Sequence, residues 1–348
     1  MLNLGAMDDC PTNEFELEEC LSRPPTQVIE MMKRLPGDLI FLGAGGKMGP
    51  SMARMARRAT DAAGIPRRIL AVSRFQNSAD RQRLEEHGVE TLSVDLLKPG
   101  ALESLPDAEN IIYLAGMKFG STGQEPLTWA MNAWLPGLVC RRYPRSRMVA
   151  FSTGNVYGMV PVSSSGSLET DPPNPMGEYA QSCLGRERIF QYAALSEGVR
   201  VAIIRLNYAC DLRYGVLVDI ANRILAGEPL DITVNAFNII WQADANAMSL
   251  LCLDLASSPA FIANLSGTEK ISVLDSARFY ARAYGKEIHA KNHDSGLALL
   301  TDASALLRQL SYTPMENEKL KQWVAEWIWR GGQTLCKPTG FEKVDGSY

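Results

Sequence analysis

Leu39-Ile40-Phe41-Leu42-Gly43-Ala44-Gly45-Gly46-Lys47-Met48-Gly49 is the stretch that decides the fold. An apolar run ends in Gly43, Gly46 and Gly49, and a helix-compatible segment from Pro50 to Ala59 follows. That order is a buried strand, a tight glycine turn and a helix N-terminus. The turn needs residues that tolerate positive φ, and a bound phosphate needs a backbone with no side chains in the way. The helix N-terminus adds unpaired N–H groups and the positive end of its dipole. Gly43, Gly45, Gly46, Lys47, Met48 and Gly49 are therefore the candidate contacts to a dinucleotide pyrophosphate. A glycine-rich connection that binds nothing is the bland alternative, and the strand–turn–helix context argues against it.

The rest of the chain repeats the same rhythm. Short runs rich in Val, Ile and Leu occur at Asp38–Leu42, Ile69–Arg74, Glu90–Val94, Asn110–Leu114, Arg147–Phe151, Arg200–Leu206 and Phe261–Leu265. Such continuous apolar runs are expected of parallel strands buried on both faces. Helix-length segments separate most of them, so the expected fold is α/β, a Rossmann-type doubly wound parallel sheet with a smaller C-terminal lobe. The expected division is an N-terminal extension (1–36, with a short helix near Pro25–Leu35), a nucleotide-binding domain (37–205 plus 236–266), a mainly helical substrate lobe (206–235 and 267–336) and a polar tail (337–348). Val160–Pro175, rich in Ser, Pro and Gly, reads as a loop.

Bulk properties exclude several function classes. The 348 residues are 46% hydrophobic and 21% charged, with a net charge of −4. That balance argues against nucleic acid and anionic membranes as partners. No run approaches the roughly 18 apolar residues of a spanning helix. The acidic N-terminus lacks the pattern of a signal peptide. Seven scattered cysteines with no Cys-x-x-Cys suit reduced thiols, so a cytoplasmic protein is expected. Of three histidines, His289 and His293 have i,i+4 spacing but no matching third ligand, and a solvated pair is the expected reading rather than a metal site.

A second anchor follows the fifth strand. Phe151-Ser152-Thr153 leads into Val156-Tyr157-Gly158, and Tyr179 opens a later helix. Ligands of open α/β sheets bind at the carboxyl ends of strands. Thr153 would there bond a substrate oxygen while Tyr179 exchanges a proton, which is what hydride transfer at a C–OH group requires.

With these residues the chain resembles the extended short-chain dehydrogenase/reductase family, the NAD(P)-dependent sugar epimerases and dehydratases. Also matching are Val94-Asp95, Tyr113-Leu114-Ala115-Gly116, Asn132, Arg205-Leu206-Asn207 and Asp244, and the likeness covers roughly residues 38–330. The resemblance implies a Rossmann domain, a substrate lobe for a nucleotide sugar or sugar derivative, and a homodimer through two helices per subunit. It adds Asp95, Leu96, Leu114, Ala115, Gly116, Asn132, Tyr179, position 183 and Leu206 to the cofactor contacts. It also puts Lys118 beside a lysine of galactose-type epimerases.

The family pattern breaks in two places. Its motif is Tyr-x-x-x-Lys, and the lysine position is Cys183. A thiol carries no charge to favour a phenolate. Three readings stay open: another cation substitutes (Lys118, or Arg186 seven residues after Tyr179), the chemistry needs no tyrosinate, or catalysis is lost and the protein is a cofactor-binding sensor or scaffold. Cys183 itself reads as a small helix residue rather than a nucleophile. The acidic pair of nucleotide-sugar dehydratases is replaced by Gly154 and Asn155, which argues against dehydration.

Cofactor choice turns on the end of the second strand. Ala71-Val72-Ser73-Arg74 has no acid for a ribose 2′-OH, and Ser73 with Arg74 can hold a 2′-phosphate, so NADP is favoured over NAD. Lys118, Thr153, Gly154, Asn155, Asn207, Arg213 and Trp241 are the expected substrate contacts. The expected activity is hydride transfer on a hydroxyl or keto group of a sugar or sugar acid, with Thr153, Tyr179 and Lys118 as the catalytic set. A reductase of small carbonyls is a further alternative.

Overall fold

A computed structural model of the chain describes residues 9–118, 120–337 and 339–343. The outer ends of the expected extension and tail (1–8 and 344–348) lie outside the described residues. The seven expected strands form, with ends shifted by no more than two residues: β1 (Leu39–Leu42), β2 (Ile69–Ser73), β3 (Glu90–Ser93), β4 (Asn110–Tyr113), β5 (Arg147–Thr153), β6 (Arg200–Leu206) and β7 (Phe261–Leu265). They make one sheet in the order β3-β2-β1-β4-β5-β6-β7. Every pairing in it is parallel. This is the doubly wound arrangement. The order reverses at β1, so the carboxyl ends of β1 and β4 open a crevice where ligands bind.

The alternation within β1 shows how the sheet is covered. Leu39 and Phe41 face one way and join a core with Met52, Ala56 and Met248. Ile40 and Leu42 face the other way and join Leu135, Val139 and Phe190. Successive strand side chains point to opposite faces, so an unbroken apolar run is what a two-sided cover demands. The first face carries α2 (Thr26–Arg34), α3 (Gly49–Ala63) and α9 (Gln242–Leu251); the second carries α6 (Leu135–Arg142) and α7 (Gly177–Glu197).

A second core lies beyond the carboxyl edge. It is built from α8 (Val216–Ala226), α10 (Val273–Tyr284) and α12 (Asn317–Trp329), with Ile220, Tyr280, Trp323 and Trp327 at its centre. Short strand pairs of two residues each accompany these helices, including one in which Val160–Pro161 of the expected loop pairs with Leu297–Ala298. The N-terminal segment is packed into both cores. Leu17 and Leu21 of α1 (Glu14–Leu21) sit in the second core, whereas Val28, Met31 and Met32 of α2 sit in the first. Among the described residues no helix is long and apolar enough to cross a membrane.

Candidate active site

The glycine turn after β1 is shaped by what surrounds it. Gly43 has φ +88°, and a Cβ there would lie 2.5 Å from the Ala115 backbone N. At Gly49 a Cβ would overlap the Ala44 carbonyl, so α3 can begin against the turn only with glycine. Gly46 is different: the atom nearest a Cβ there is 3.8 Å away, and its face is open. Two glycines thus close the turn and the third leaves room beside it. α3 has no side-chain N-cap, which leaves first-turn N–H groups for an anion. The residues present therefore fit a dinucleotide pyrophosphate.

This turn forms one wall of a cavity of about 270 Å³. Gly43, Gly46, Lys47, Met48, Gly49, Leu114, Gly116, Lys118, Thr153, Asn155, Tyr179, Leu206 and Asn207 all line it, so most of the expected site residues converge. Tyr208 and Ala209 also line it, as do Met117, Ser152 and Arg186. Its wall carries three cations, Lys47, Lys118 and Arg186, and among the described residues no carboxylate. Such a site favours an anionic occupant.

Each polar side chain is held in place. Thr153 ends β5 and is buried. Its Oγ1 accepts from the Asn155 backbone N–H at 3.2 Å and from Asn155 Nδ2 at 2.9 Å. With its lone pairs so used, the hydroxyl proton is suited to donate. Asn207 Nδ2 donates to Asn238 Oδ1 at 2.9 Å and to the Leu299 carbonyl at 3.3 Å. Tyr208, beside it, has φ +41°, a strained conformation for a side chain of that size. Lys47 reaches across the cavity, where its Nζ donates to the Ala209 carbonyl at 2.6 Å and lies 4.3 Å from the Tyr214 ring centre. Burial lowers its pKa.

Tyr179 lies in the first turn of α7 and lines the cavity. Lys118 Nζ lies 5.8 Å from the centre of the Tyr179 ring. Burial brings the Lys118 amine down to about 8, with Lys47 nearby pushing in the same direction. Cys183, one turn after Tyr179, is fully buried, and that burial raises its thiol pKa. Such a thiol is protonated at neutral pH and is no nucleophile. Arg186, on the same helix face, donates from Nη1 to the Phe151 carbonyl at 2.7 Å and from Nη2 to Asn132 Oδ1 at 2.6 Å. Asn132 sits in a π-helical turn, Ala130–Trp134, between α5 (Glu125–Trp129) and α6. π-turns recur at functional sites because they re-aim a side chain.

Behind the cavity is a buried charge network. Glu187 accepts from Arg205 Nη2 at 2.8 Å and from Ser152 Oγ at 2.6 Å. Arg205 Nη1 donates to Tyr157 Oη at 2.7 Å, and that hydroxyl donates to Asn264 Oδ1 at 2.7 Å. The network ties β5, β6, β7 and α7 together beneath Thr153 and Tyr179.

Several expected contacts lie elsewhere. Ser73, Arg74, Asp95 and Leu96 sit at or just beyond the carboxyl ends of β2 and β3 and do not line the cavity. Arg74 is exposed. A Cβ on Gly45 would meet Ser73 Oγ at 2.5 Å, so the glycine turn and this strand end are adjacent. Asp95 caps a local turn, accepting from the Leu97 N–H at 3.1 Å. Ala115 is buried beneath Gly43, and Gly154 packs against Asn207 and Thr301. Arg213 pairs with Glu18 at 2.7 Å and Asp211 at 3.1 Å. Trp241 packs edge-on against Trp323, with ring centres 5.9 Å apart. Neither Arg213 nor Trp241 lines the cavity. Asp244, one of the family-matching positions, accepts from Tyr312 Oη at 2.8 Å and from the Met315 N–H at 2.7 Å, a structural anchor. Met117 was not among the expected contacts, and Ser152 stood there only within the Phe151-Ser152-Thr153 motif. Each neighbours a recognised residue, and no pattern of their own marks them.

A family model described as the NAD dependent epimerase/dehydratase family matches residues 39–234. No curated protein matches the chain by sequence. Similar solved structures include a UDP-glucuronic acid 4-epimerase mutant from Bacillus cereus in complex with UDP-4-deoxy-4-fluoro-glucuronic acid and NAD. It has a TM-score of 0.71 at 17% identity, over 84% of this chain and 99% of that one. A dTDP-glucose 4,6-dehydratase from Bacillus anthracis in complex with NAD has a TM-score of 0.70 at 15% identity, over 84% and 96%. A UDP-glucose 4-epimerase from Thermotoga maritima with UDP-glucose has 0.69 at 17%, over 84% and 99%. At these identities the likeness is one of fold.

Proposed function

The chain belongs to the NAD dependent epimerase/dehydratase family, and we propose that it is an NADP-dependent oxidoreductase or epimerase acting on a hydroxyl or keto group of a sugar or sugar acid. The observation that carries this reading is the convergence of the glycine turn, Thr153, Tyr179 and Lys118 on one cavity. A nicotinamide, when bound, supplies the hydride acceptor or donor. Thr153 would donate to the reacting oxygen, Tyr179 would take or return its proton, and Lys118 would put positive charge on the substrate side of the phenol. Residues 37–205 with 236–266 would hold the cofactor, and 206–235 with 267–336 the substrate.

The finer points have separate support. The similar structures hold NAD. Here the end of β2 has no acid, and Arg74 is exposed beside Ser73, which favours a 2′-phosphate. The three cations of the cavity wall favour an anionic substrate such as a sugar acid. Leu127, Trp129 and Trp134 on α5–α6 and Tyr192 and Leu195 on α7 are exposed apolar side chains that a homodimer would cover. Seven free cysteines, five of them buried, favour a reducing cytoplasm.

A second reading, a nicotinamide-nucleotide sensor or scaffold, is favoured by the uncharged Cys183. One experiment separates the two. Bind NADPH and NADH to the purified protein by nicotinamide fluorescence, then assay hydride exchange on sugars, sugar acids and small ketones with wild type and Tyr179→Phe. The enzyme reading expects NADPH to bind about tenfold tighter than NADH and turnover to fall by about 10²-fold or more in the variant. Tight binding with no turnover supports the sensor. Failure of both nucleotides to bind overturns both readings.

A further inference from the structure

We propose that Arg186 supplies the fixed positive charge that the missing lysine would have carried, so that the Tyr-x-x-x-Lys function survives here as Tyr179 with Arg186. The proposal deepens the reading above and rests on it.

Tyr179, Cys183 and Arg186 are spaced i, i+4 and i+7, one stripe of α7. The guanidinium is buried, lines the cavity and donates to neutral acceptors: the Phe151 carbonyl at 2.7 Å, Asn132 Oδ1 at 2.6 Å and the Asn132 carbonyl at 3.3 Å. Carbonyl and amide oxygens hold a cation without cancelling it. Buried charge is expensive, so a cation kept in this way needs a role that repays its desolvation.

The neighbours are shaped around it. A Cβ on Gly116 would overlap Arg186 Nη2, so this glycine makes room for the guanidinium beside the loop after β4. The Asn132 amide joins the two positions, with Oδ1 on Arg186 and Nδ2 4.0 Å from Cys183 Sγ. A lysine at 183 would bring a second cation to that amide, against the guanidinium. One cation fits there, and the small thiol leaves the place to Arg186.

The groups facing this cluster are Lys118 from the loop after β4, Tyr113 from β4, and Cys183 and Glu187 on α7. Glu187 is engaged by Arg205 and Ser152. Lys118 loses its proton near pH 8, whereas a guanidinium keeps its charge throughout. A fixed cation near a phenol favours the phenolate. Arg186 thus acts through Tyr179 and is a positioning residue.

The test reads Tyr179 in the protein without substrate. Record the ultraviolet difference titration of tyrosinate for each protein and subtract that of its Tyr179→Phe counterpart. Arg186→Gln should move the Tyr179 titration up by about one pH unit. Arg186→Lys should hold it close to wild type, and Cys183→Lys added to Arg186→Gln should bring it back down. An unmoved titration in Arg186→Gln overturns the proposal. If that variant does not fold, Arg186→Lys decides: a rise of about one unit or more with the charge retained overturns it. NADPH binding is measured beside the titration. Binding with no titration shift overturns this inference and leaves the functional reading intact; a shift without binding does the reverse.

Discussion

Arg186 and Arg205 are both buried beside α7, and they are held in opposite ways. Arg205, from β6, makes a two-pronged pair with Glu187 and a further bond to Tyr157. Its charge is neutralised within the scaffold. Arg186, the residue preceding Glu187, donates to carbonyl and amide oxygens and faces the cavity. Burial opposes both cations, yet the surrounding groups raise both pKa values, ion pairing doing so for Arg205. One helix turn therefore carries a structural charge pair on one side and an uncancelled charge on the other.

The comparison breaks first at Glu187. Glu187→Gln leaves Arg205 buried without its carboxylate and should destabilise the protein by about 3–5 kcal/mol, read by urea unfolding. If the loss is under about 1 kcal/mol, Arg205 is better served by its neutral partners than the geometry implies. Replacing both members, Glu187→Leu with Arg205→Met, should recover much of that loss, because apolar groups of similar volume need no compensation.

Arg186→Met should cost less stability, about 1–2 kcal/mol, since it strands acceptors rather than a charge. A loss as large as that of Glu187→Gln would mean that Arg186 is scaffold as well.

The smallest effect is expected at Lys118, and its sign is opposite. The folded amine titrates at about 8 against an ordinary 10.5. Between those values the unfolded chain binds more protons, so stability rises with pH across that window, and below it the full penalty stands. Lys118→Met should raise the melting temperature at pH 7 by about 1–3 °C, and the difference should shrink from pH 8 upward. A lower melting temperature at pH 7 would show that the ammonium contributes to the fold.

The strands of the sheet were legible because their signal is local. A strand covered on both faces reads as a near-continuous apolar run, and Leu39–Leu42 of β1, Ile111–Tyr113 of β4 and Val201–Ile204 of β6 are runs of that kind. The glycine turn was legible because Gly43 and Gly49 are dictated by backbone approach. β5 extends two residues further than its apolar run, through Ser152 and Thr153, because Glu187 and Asn155 satisfy those hydroxyls in place of burial among carbons. Trp241 and Arg213 lie close in sequence to cleft residues, yet Trp323 and Glu18, each distant in sequence, claim them. The 1–36 segment reads as an appendage, because nothing local shows that Leu17 meets the second core and Met31 the first.

The sequence by itself determined the doubly wound sheet, the glycine turn, Thr153 and Tyr179 at the carboxyl edge, and an uncharged cysteine at position 183. Those features follow from residue type and spacing, which act over one strand or one helix turn. Only the tertiary structure decided which cations reach the cavity, which are cancelled and which stay charged. Pairing is a through-space property, set by whichever distant carboxylate or carbonyl the packed core brings within hydrogen-bond distance.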